Sequence, residues 1–193
     1  MSQPASADTV SEHFDLYSLA NGIYAAIATP DGGAYSNAGI VDLGDQTLIF
    51  DTFETPRAAA DLRAAAEALT GRPATCVIIS HSHADHVCGN QVFDPQTPII
   101  SSHGTREEMP ASTGWLLELK ENPAEIEAAI QEQQAALEGE KDPSKRTSLE
   151  RSIQRMGYWL EGISDLELRF PNQTFSGRLA FYGSERRAEM VEV

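Results

Sequence analysis

The sequence predicts a mixed α/β fold of the α+β type, built as a single domain over residues 13–193, and three features predict it. Residues 13–50 have the pattern of short strands separated by turn signals. A helical pattern and a buried strand follow, which completes a β-α-β unit. Helix formers then dominate residues 112–162, after which strand-like runs return. The 193 residues, 41% of them hydrophobic, are enough to bury a core of this kind.

Charge and cysteine content limit the classes of function. Fourteen Lys and Arg against 29 Asp and Glu give a formal net charge of −15, which argues against binding to nucleic acid or to an anionic membrane and favours a small-molecule substrate. Residues 1–12 lack the basic start and apolar run of a signal peptide, so we predict a disordered tail and a cytoplasmic protein. Cys76 and Cys88 are too few for a disulfide framework and are expected to be reduced packing residues.

The opening of the chain has the pattern of antiparallel hairpins. Strand-like runs occur as HFDLYSLA, IYAAIAT, AYSNAGIVDL and TLIF, and the last of them ends at Asp51. The turn signals between the first runs are Asn21-Gly22 and Asp31-Gly32-Gly33. We therefore expect a sheet whose first strands are joined by short connections.

A β-α-β unit is predicted directly after these hairpins. Thr55 and Pro56 have the pattern of an N-cap and a first helical residue, and Gly71 is placed to end the helix. The next run, ATCVIIS, is rich in β-branched residues and short, which predicts a buried strand. Because α/β proteins commonly place their sites at the carboxyl ends of parallel strands, the residues after Ser80 are expected at such an edge.

Two helices are predicted in the middle of the chain. Asn122-Pro123, followed by Glu125, and Asp142-Pro143 are both helix-start patterns. The simplest arrangement is a helical hairpin, inserted at about 112–162, that turns at residues 138–143. It is either a packing element without chemistry or a lid that shapes a substrate site. Apolar residues recur at helical spacing after each start, at Ile126, Ile130 and Leu137 and at Leu149, Ile153, Met156 and Leu160.

Three of the five histidines lie in one short segment. The segment VIISHSHADHVCGN contains His81, His83, Asp85 and His86, in the order His-x-His-x-Asp-His, directly after the predicted buried strand. Imidazole and carboxylate are ligands that zinc favours, and a tight loop after a rigid strand can direct several of them to one cavity. His81 and His83 can face one ion and Asp85 and His86 a neighbouring ion, so that a hydroxide held between two metals becomes a nucleophile. The alternative is a polar surface loop without a metal.

This motif and the segment before it resemble the metallo-β-lactamase superfamily. The likeness covers residues 13–110 well and the remainder loosely, and it includes the opening hairpins and the strand that ends at Asp51. The resemblance implies a four-layer αββα sandwich with metals at one edge between two sheets. It also implies a metal-dependent hydrolase that uses metal-bound hydroxide on a carbonyl-type substrate, with one or two Zn²⁺ ions as cofactors. Iron and manganese also suit such ligands.

The resemblance assigns roles to individual residues. It implies that His81 and His83 bind the first zinc and that Asp85 and His86 bind the second. Asp85 is also implied to be catalytic, because it can orient the hydroxide. Asp51, at the end of its strand, is implied to orient the ligands without binding a metal itself.

Several residues outside the motif are further candidates for the same site. His103 follows the next predicted strand and either supports the ligands or faces the substrate, or it begins a helix with no metal role. Ser80, Ser82, Ser101 and Ser102 have no general base at a diagnostic spacing, so the sequence does not support a serine nucleophile.

The family completes its metal site with motifs that this sequence does not contain. They are a further histidine, a bridging aspartate and a last histidine, whereas no histidine follows His103. The resemblance therefore implies an N-terminal portion of the fold, truncated before its C-terminal metal motifs, with an exposed sheet edge. One hypothesis is a metallo-hydrolase of which this is the N-terminal portion. The other is a catalytically inactive half-domain that acts as a binding or assembly module, as a homodimer through the open edge.

Overall fold

The computed structural model describes residues 11–30 and 32–192. The chain divides into two compact units, one formed by Met1–Thr113 with Glu167–Val193 and the other by Gly114–Leu166. The predicted tail at residues 1–12 lies outside the described residues except for its last two positions. The prediction of a single domain over residues 13–193 stays a prediction.

The first unit contains a seven-stranded mixed sheet. Its first four strands are antiparallel neighbours, and the fourth to seventh strands are parallel to one another. The antiparallel opening and the parallel β-α-β unit predicted from the sequence are both present. In spatial order the strands are β1 (Phe14–Ala20), β2 (Ile23–Ala28), β3 (Ala38–Asp42), β4 (Thr47–Phe50), β5 (Cys76–Ile78), β6 (Ile99–Ser102) and β7 (Gln173–Phe175).

Helix α1, Pro56–Thr70, connects β4 to β5 and covers one face of the sheet. Thr55 caps its start by accepting a hydrogen bond from the Ala58 amide, as predicted. Gly71 ends the helix with a φ of +69°, a left-handed conformation that favours glycine. Leu62 and the alanines on the same face are fully buried and pack against strand residues in the main core. The largest fully buried side chain is Phe53, just before the helix.

A second, two-stranded sheet covers the other face. Strands β8 (Arg178–Tyr182) and β9 (Arg187–Val191) pair antiparallel, and their apolar side chains pack on β4, β5 and β6. Within this unit the described residues thus form a helix layer, a large sheet and a small sheet. This arrangement confirms the predicted fold class, an incomplete αββα sandwich of mixed α/β type.

Two boundaries differ from the sequence prediction. The run AYSNAGIVDL does not form one strand, because Tyr35 adopts a φ of +64° and β3 begins only at Ala38. Helix α3 (His103–Glu121) begins before residue 112, and the Ser102 hydroxyl accepts a hydrogen bond from the Thr105 amide at 3.2 Å. The Pro110 inside this helix weakens the helical pattern in the sequence.

The second unit contains the predicted helical hairpin. Helices α4 (Pro123–Gly139) and α5 (Pro143–Gly162) pack against each other. The Asp142 side chain caps α5 by accepting hydrogen bonds from the Ser144 and Lys145 amides at 2.8 and 3.3 Å. Asn122, by contrast, makes no side-chain cap to α4, which begins with Pro123 in its first turn. None of the helices in the described part of the chain has both the length and the apolar character of a membrane span.

Candidate metal centre

The histidine segment forms a tight loop at the carboxyl end of β5, as predicted. Ser80 to His83 lead into a single helical turn, α2 (Ala84–Val87), which continues as a 3₁₀ turn at Cys88–Val92. The loop is short because α2 begins only six residues after the last residue of the strand. The motif side chains are therefore held next to the carboxyl end of a buried parallel strand.

The structure brings the four predicted ligands together. The ring centroid of His81 lies 4.6 Å from that of His83 and 4.0 Å from that of His86. The Nε2 atom of His86 lies 3.5 Å from Oδ2 of Asp85. His83 is exposed, whereas the other three side chains are half-buried. Three imidazoles and one carboxylate thus share one small region that solvent can reach.

Asp51 lies beneath this cluster and is almost completely buried. Its backbone adopts a φ of +61°, a left-handed conformation that is unusual for a residue other than glycine. The carboxylate accepts hydrogen bonds from the Ser80 amide at 2.8 Å and the Ser80 hydroxyl at 2.7 Å. It also accepts one from Nδ1 of His86 at 2.8 Å. A buried carboxylate is costly unless its oxygens have such partners, and these partners fix its position.

Backbone contacts attach the histidine loop to the segment after β4. The Thr52 amide donates to the His86 carbonyl at 3.0 Å, and the Asp51 amide donates to the Ile78 carbonyl at 2.8 Å. Gly89 lies against this segment so closely that a Cβ at this position would be 2.0 Å from the Thr52 carbonyl oxygen. The two segments that carry Asp51 and the histidines therefore behave as one packed element.

The two inner histidines differ in their electrostatic surroundings. Burial lowers the pKa of His86, but the hydrogen bond to Asp51 and the charges of Asp51 and Asp85 outweigh burial, and the pKa is raised. For His81, burial and the neighbouring His86 and His83 lower the pKa despite the two aspartates. His81 is consequently neutral at pH 7 and can offer a nitrogen lone pair.

The chemistry of this donor set fits a divalent metal such as zinc. His86 donates its Nδ1 hydrogen to Asp51, which leaves Nε2 to bind a metal, as in the carboxylate–histidine–metal arrangement of many metalloproteins. Over residues 11–30 and 32–192, however, no group of three or more His, Cys, Asp or Glu side chains already has the geometry of a metal site. Metal binding therefore requires rotation of some of these side chains, and the exposed His83 has the room to rotate.

The remaining candidates lie outside the histidine cluster. His103 begins α3, is exposed, and contacts the Thr174 hydroxyl through Nδ1 at 3.0 Å. Cys76 and Cys88 are both buried free thiols. Burial raises the pKa of Cys76 to about 12, and burial with the charges of Glu54 and Asp85 raises the pKa of Cys88. Neither thiol is therefore suited to act as a nucleophile.

Sequence reasoning missed the part that Ser80 plays. Its hydroxyl lies 2.7 Å from Oδ2 of Asp51 and 2.9 Å from Nδ1 of His81. In a catalytic triad the histidine lies between the serine and the aspartate, whereas here the serine lies between the other two. The geometry does not activate Ser80 as a nucleophile, and it connects Asp51 to a second histidine. The signal in the sequence was a hydroxyl residue directly before the first histidine of the motif.

This fold and this loop agree with the result of a family comparison. A sequence model described as the metallo-beta-lactamase superfamily matches residues 31–160, about two thirds of the chain. The protein therefore belongs to the metallo-beta-lactamase superfamily.

Similar solved structures come from several bacteria. A metallo-beta-lactamase of Erythrobacter litoralis, with beta-mercaptoethanol in its active site, is 20% identical in sequence to this chain. The match covers 52% of this chain and 46% of the lactamase, with a TM-score of 0.46. The mono-zinc form of the Pseudomonas aeruginosa metallo-beta-lactamase FIM-1 is 16% identical, with a TM-score of 0.46, and the match covers 56% of this chain and 49% of FIM-1. A stereoselective inverting sec-alkylsulfatase from a Pseudomonas species is 21% identical, with a TM-score of 0.44, and the match covers 51% of this chain and 16% of the sulfatase. The chain thus spans about half the length of these lactamases.

Proposed function

We propose that the protein is a metal-dependent hydrolase that acts on a carbonyl-type small molecule. The observation that carries the proposal is the convergence of His81, His83 and His86 with Asp85 above the buried carboxylate of Asp51. Such crowding of imidazoles is unfavourable unless a ligand binds them, and nitrogen and carboxylate donors suit a divalent metal. Zinc is the cofactor we propose, as one or two ions, and iron or manganese suit the same donors.

The residues of the loop divide into two pairs in this proposal. His81 and His83 would hold one ion, and Asp85 and His86 would hold a second. A bound zinc lowers the pKa of a coordinated water to about 7 and polarises a carbonyl group. Asp85 is half-buried beside His86, so its carboxylate would be able to accept a hydrogen bond from a water at this site and orient it. Asp51 keeps His86 in the tautomer that exposes Nε2.

A cleft beside the histidines supports a small-molecule substrate. It has a volume of about 690 Å³, and Ser80 and His81 lie on its wall together with Ile78, Phe175 and Met190. A cleft of this size is within the range of small-molecule sites. Its apolar side is suited to hold the acyl part of a substrate near the loop. We also propose a cytoplasmic location, since a reducing compartment suits two buried free thiols.

A different function, a binding or assembly module without catalysis, is favoured by one observation. Among the described residues, β8 and β9 pair only with each other, so each leaves an open edge. Tyr182 and Val191 on these strands are 69% and 50% exposed. Open edges with apolar side chains promote association, and a second copy of the chain is the simplest partner. Sedimentation of the purified chain tests this function, since a monomer at micromolar concentration contradicts it.

Metal analysis combined with an activity assay tests the hydrolase proposal. The purified chain is expected to hold one to two zinc ions and to hydrolyse an ester, thioester or lactam from a panel of uncharged substrates. The double variant H81A/H83A is expected to lose both properties. A matched variant, E127Q/E132Q, removes two exposed carboxylates on α4 and controls for non-specific binding to an acidic surface. Full zinc content in H81A/H83A would contradict the proposal.

A further inference from the structure

The hydroxyl of Ser80 lies between a buried carboxylate and a predicted metal ligand. Its Oγ atom is 2.7 Å from Oδ2 of Asp51 and 2.9 Å from Nδ1 of His81. The same Oδ2 atom accepts from Nδ1 of His86 at 2.8 Å. One carboxylate oxygen is thus connected to two histidines, to His86 directly and to His81 through one hydroxyl.

The chemistry of these groups determines where the hydrogens lie. An ionised carboxylate can only accept hydrogen bonds, and a serine hydroxyl has one hydrogen to donate. At 2.7 Å from Asp51 the Ser80 hydroxyl must donate to the carboxylate, because two oxygen acceptors without a hydrogen between them repel each other. The oxygen of Ser80 then faces Nδ1 of His81 with its lone pairs. A hydrogen bond at this place therefore requires that the hydrogen of the His81 ring be on Nδ1.

We propose that Ser80 is a positioning residue that fixes His81 in its Nδ1–H tautomer, so that Nε2 is the atom offered to a metal. This inference rests on the proposed function, because the tautomer serves to present Nε2 to a metal. The tautomer itself exists without a metal. With the direct bond from His86, Asp51 sets the tautomers of two ligands from opposite ends of the motif. The pair is thereby preorganised before a metal arrives, which lowers the cost of binding it.

A second serine in the same loop makes no such bridge. The hydroxyl of Ser82 contacts the Ser112 hydroxyl at 3.0 Å and a carboxylate oxygen of Glu108 at 3.3 Å. Both serines are in the motif segment, next to His81, and both lose one hydroxyl when changed to alanine. Ser82→Ala is therefore a matched control for Ser80→Ala. Folding is expected to survive in Ser80→Ala, because the backbone amide of residue 80 still donates to Asp51.

The tautomer can be measured directly in the metal-free protein. Nitrogen NMR of the imidazole rings, recorded at alkaline pH where they are neutral, distinguishes a hydrogen on Nδ1 from one on Nε2. The wild type and Ser82→Ala are expected to show His81 with its hydrogen on Nδ1. Ser80→Ala is expected to show a mixture of tautomers for His81 and no change for His86, and Ser80→Thr is expected to restore the wild-type signal. A wild-type His81 with its hydrogen on Nε2, or an unchanged His81 in Ser80→Ala, would overturn the proposal.

Zinc affinity provides the second readout. Ser80→Ala is expected to bind zinc about tenfold more weakly or worse, in the range of outer-shell changes, with Ser80→Thr and Ser82→Ala close to wild type. Equal loss in Ser80→Ala and Ser82→Ala would contradict a specific role for Ser80. If the wild type binds no zinc, the proposed function fails, whereas the NMR result still decides what Ser80 does. The two failures are thus distinguishable.

Discussion

The histidine loop and the helical hairpin differ in how their side chains are held. Around the loop, Asp51 is almost completely buried and engages Ser80 and His86 through three hydrogen bonds. In the hairpin, Ile126 is the buried side chain of α4, and none of the described residues of α5 is fully buried. A half-buried apolar face is enough to make a helix pack. It does not restrict each side chain on that face to a single rotamer. A buried polar network determines where individual atoms lie, which is what a site for chemistry requires.

The largest expected difference between the two regions is in core packing. Leu62 of α1 is fully buried, and Leu62→Ala is expected to lower the free energy of unfolding by about 2 to 5 kcal/mol. Leu149 of α5 is only half-buried, and Leu149→Ala is expected to cost about 1 kcal/mol. Urea unfolding of both variants measures the difference. Equal costs would mean that the hairpin is packed as tightly as the core beneath the histidine loop.

One glycine in the histidine loop and one in the hairpin differ in the space around them. A Cβ at Gly89 would lie 2.0 Å from the Thr52 carbonyl oxygen and 2.3 Å from the Cβ of Ala59, whereas a Cβ at Gly157 would meet nothing within 4 Å. Gly89→Ala is therefore expected to destabilise the protein by about 1 to 3 kcal/mol through overpacking. Gly157→Ala is expected to stabilise it by up to about 1 kcal/mol, because alanine favours a helix. Thermal unfolding measures the loss of stability in the first variant and the gain in the second. An unchanged stability of Gly89→Ala would show that the loop is not packed on Thr52.

Helix caps are expected to have smaller effects. Thr55 caps α1 and also donates its hydroxyl to the Gly33 carbonyl at 3.0 Å, whereas Asp142 caps α5 at an exposed position. Thr55→Ala is expected to cost about 2 kcal/mol and Asp142→Ala about 1 kcal/mol, the upper and middle parts of the range for N-caps. Chemical unfolding of each variant compares the two losses. A larger loss of stability in Asp142→Ala than in Thr55→Ala would contradict this order.

The smallest expected effect concerns the buried thiol of Cys76, whose pKa is raised to about 12 by burial. A thiol with a raised pKa in the folded state contributes stability below its unfolded pKa, and that contribution is lost as pH rises from about 9 towards 12. Because of this thiol, the free energy of unfolding is expected to be about half a kcal/mol lower at pH 9 than at pH 7. Unfolding curves of the wild type and of Cys76→Ala at both pH values isolate this loss. An identical pH dependence in both proteins would contradict it.

Local signals in the sequence predicted much of the fold. The Thr55-Pro56 start, the Gly71 stop and the Asp142-Pro143 start each have a local cause, a cap or a fixed backbone angle, and all three are present in the structure. The start of α3 at His103 was only one of the alternatives that the sequence left open, because Gly104 and Pro110 weaken its helical pattern. The start of such a helix depends on tertiary packing, as at the buried Met109, which a short window of sequence does not display.

The sequence predicted which residues come together at the candidate site. It did not predict the hydrogen bonds that connect them. The spacing of the motif predicted that the histidines gather after β5, and the structure brings them together. The left-handed conformations of Asp51 and Phe53, with φ of +61° and +65°, are unusual for such residues and follow from tertiary contacts. The bridge through Ser80 joins two residues that are 29 positions apart in the chain, so it could be seen only once Asp51 was placed in three dimensions.

The proposed site requires that the histidine loop binds a divalent metal, and a titration measures this binding. Zinc is titrated calorimetrically into the metal-free protein, into the variant H81A/H83A/H86A, and into the control E127Q/E132Q. We expect saturable zinc binding in the wild type and the control and none in the histidine variant. If the histidine variant binds zinc as the wild type does, the loop is not the metal site.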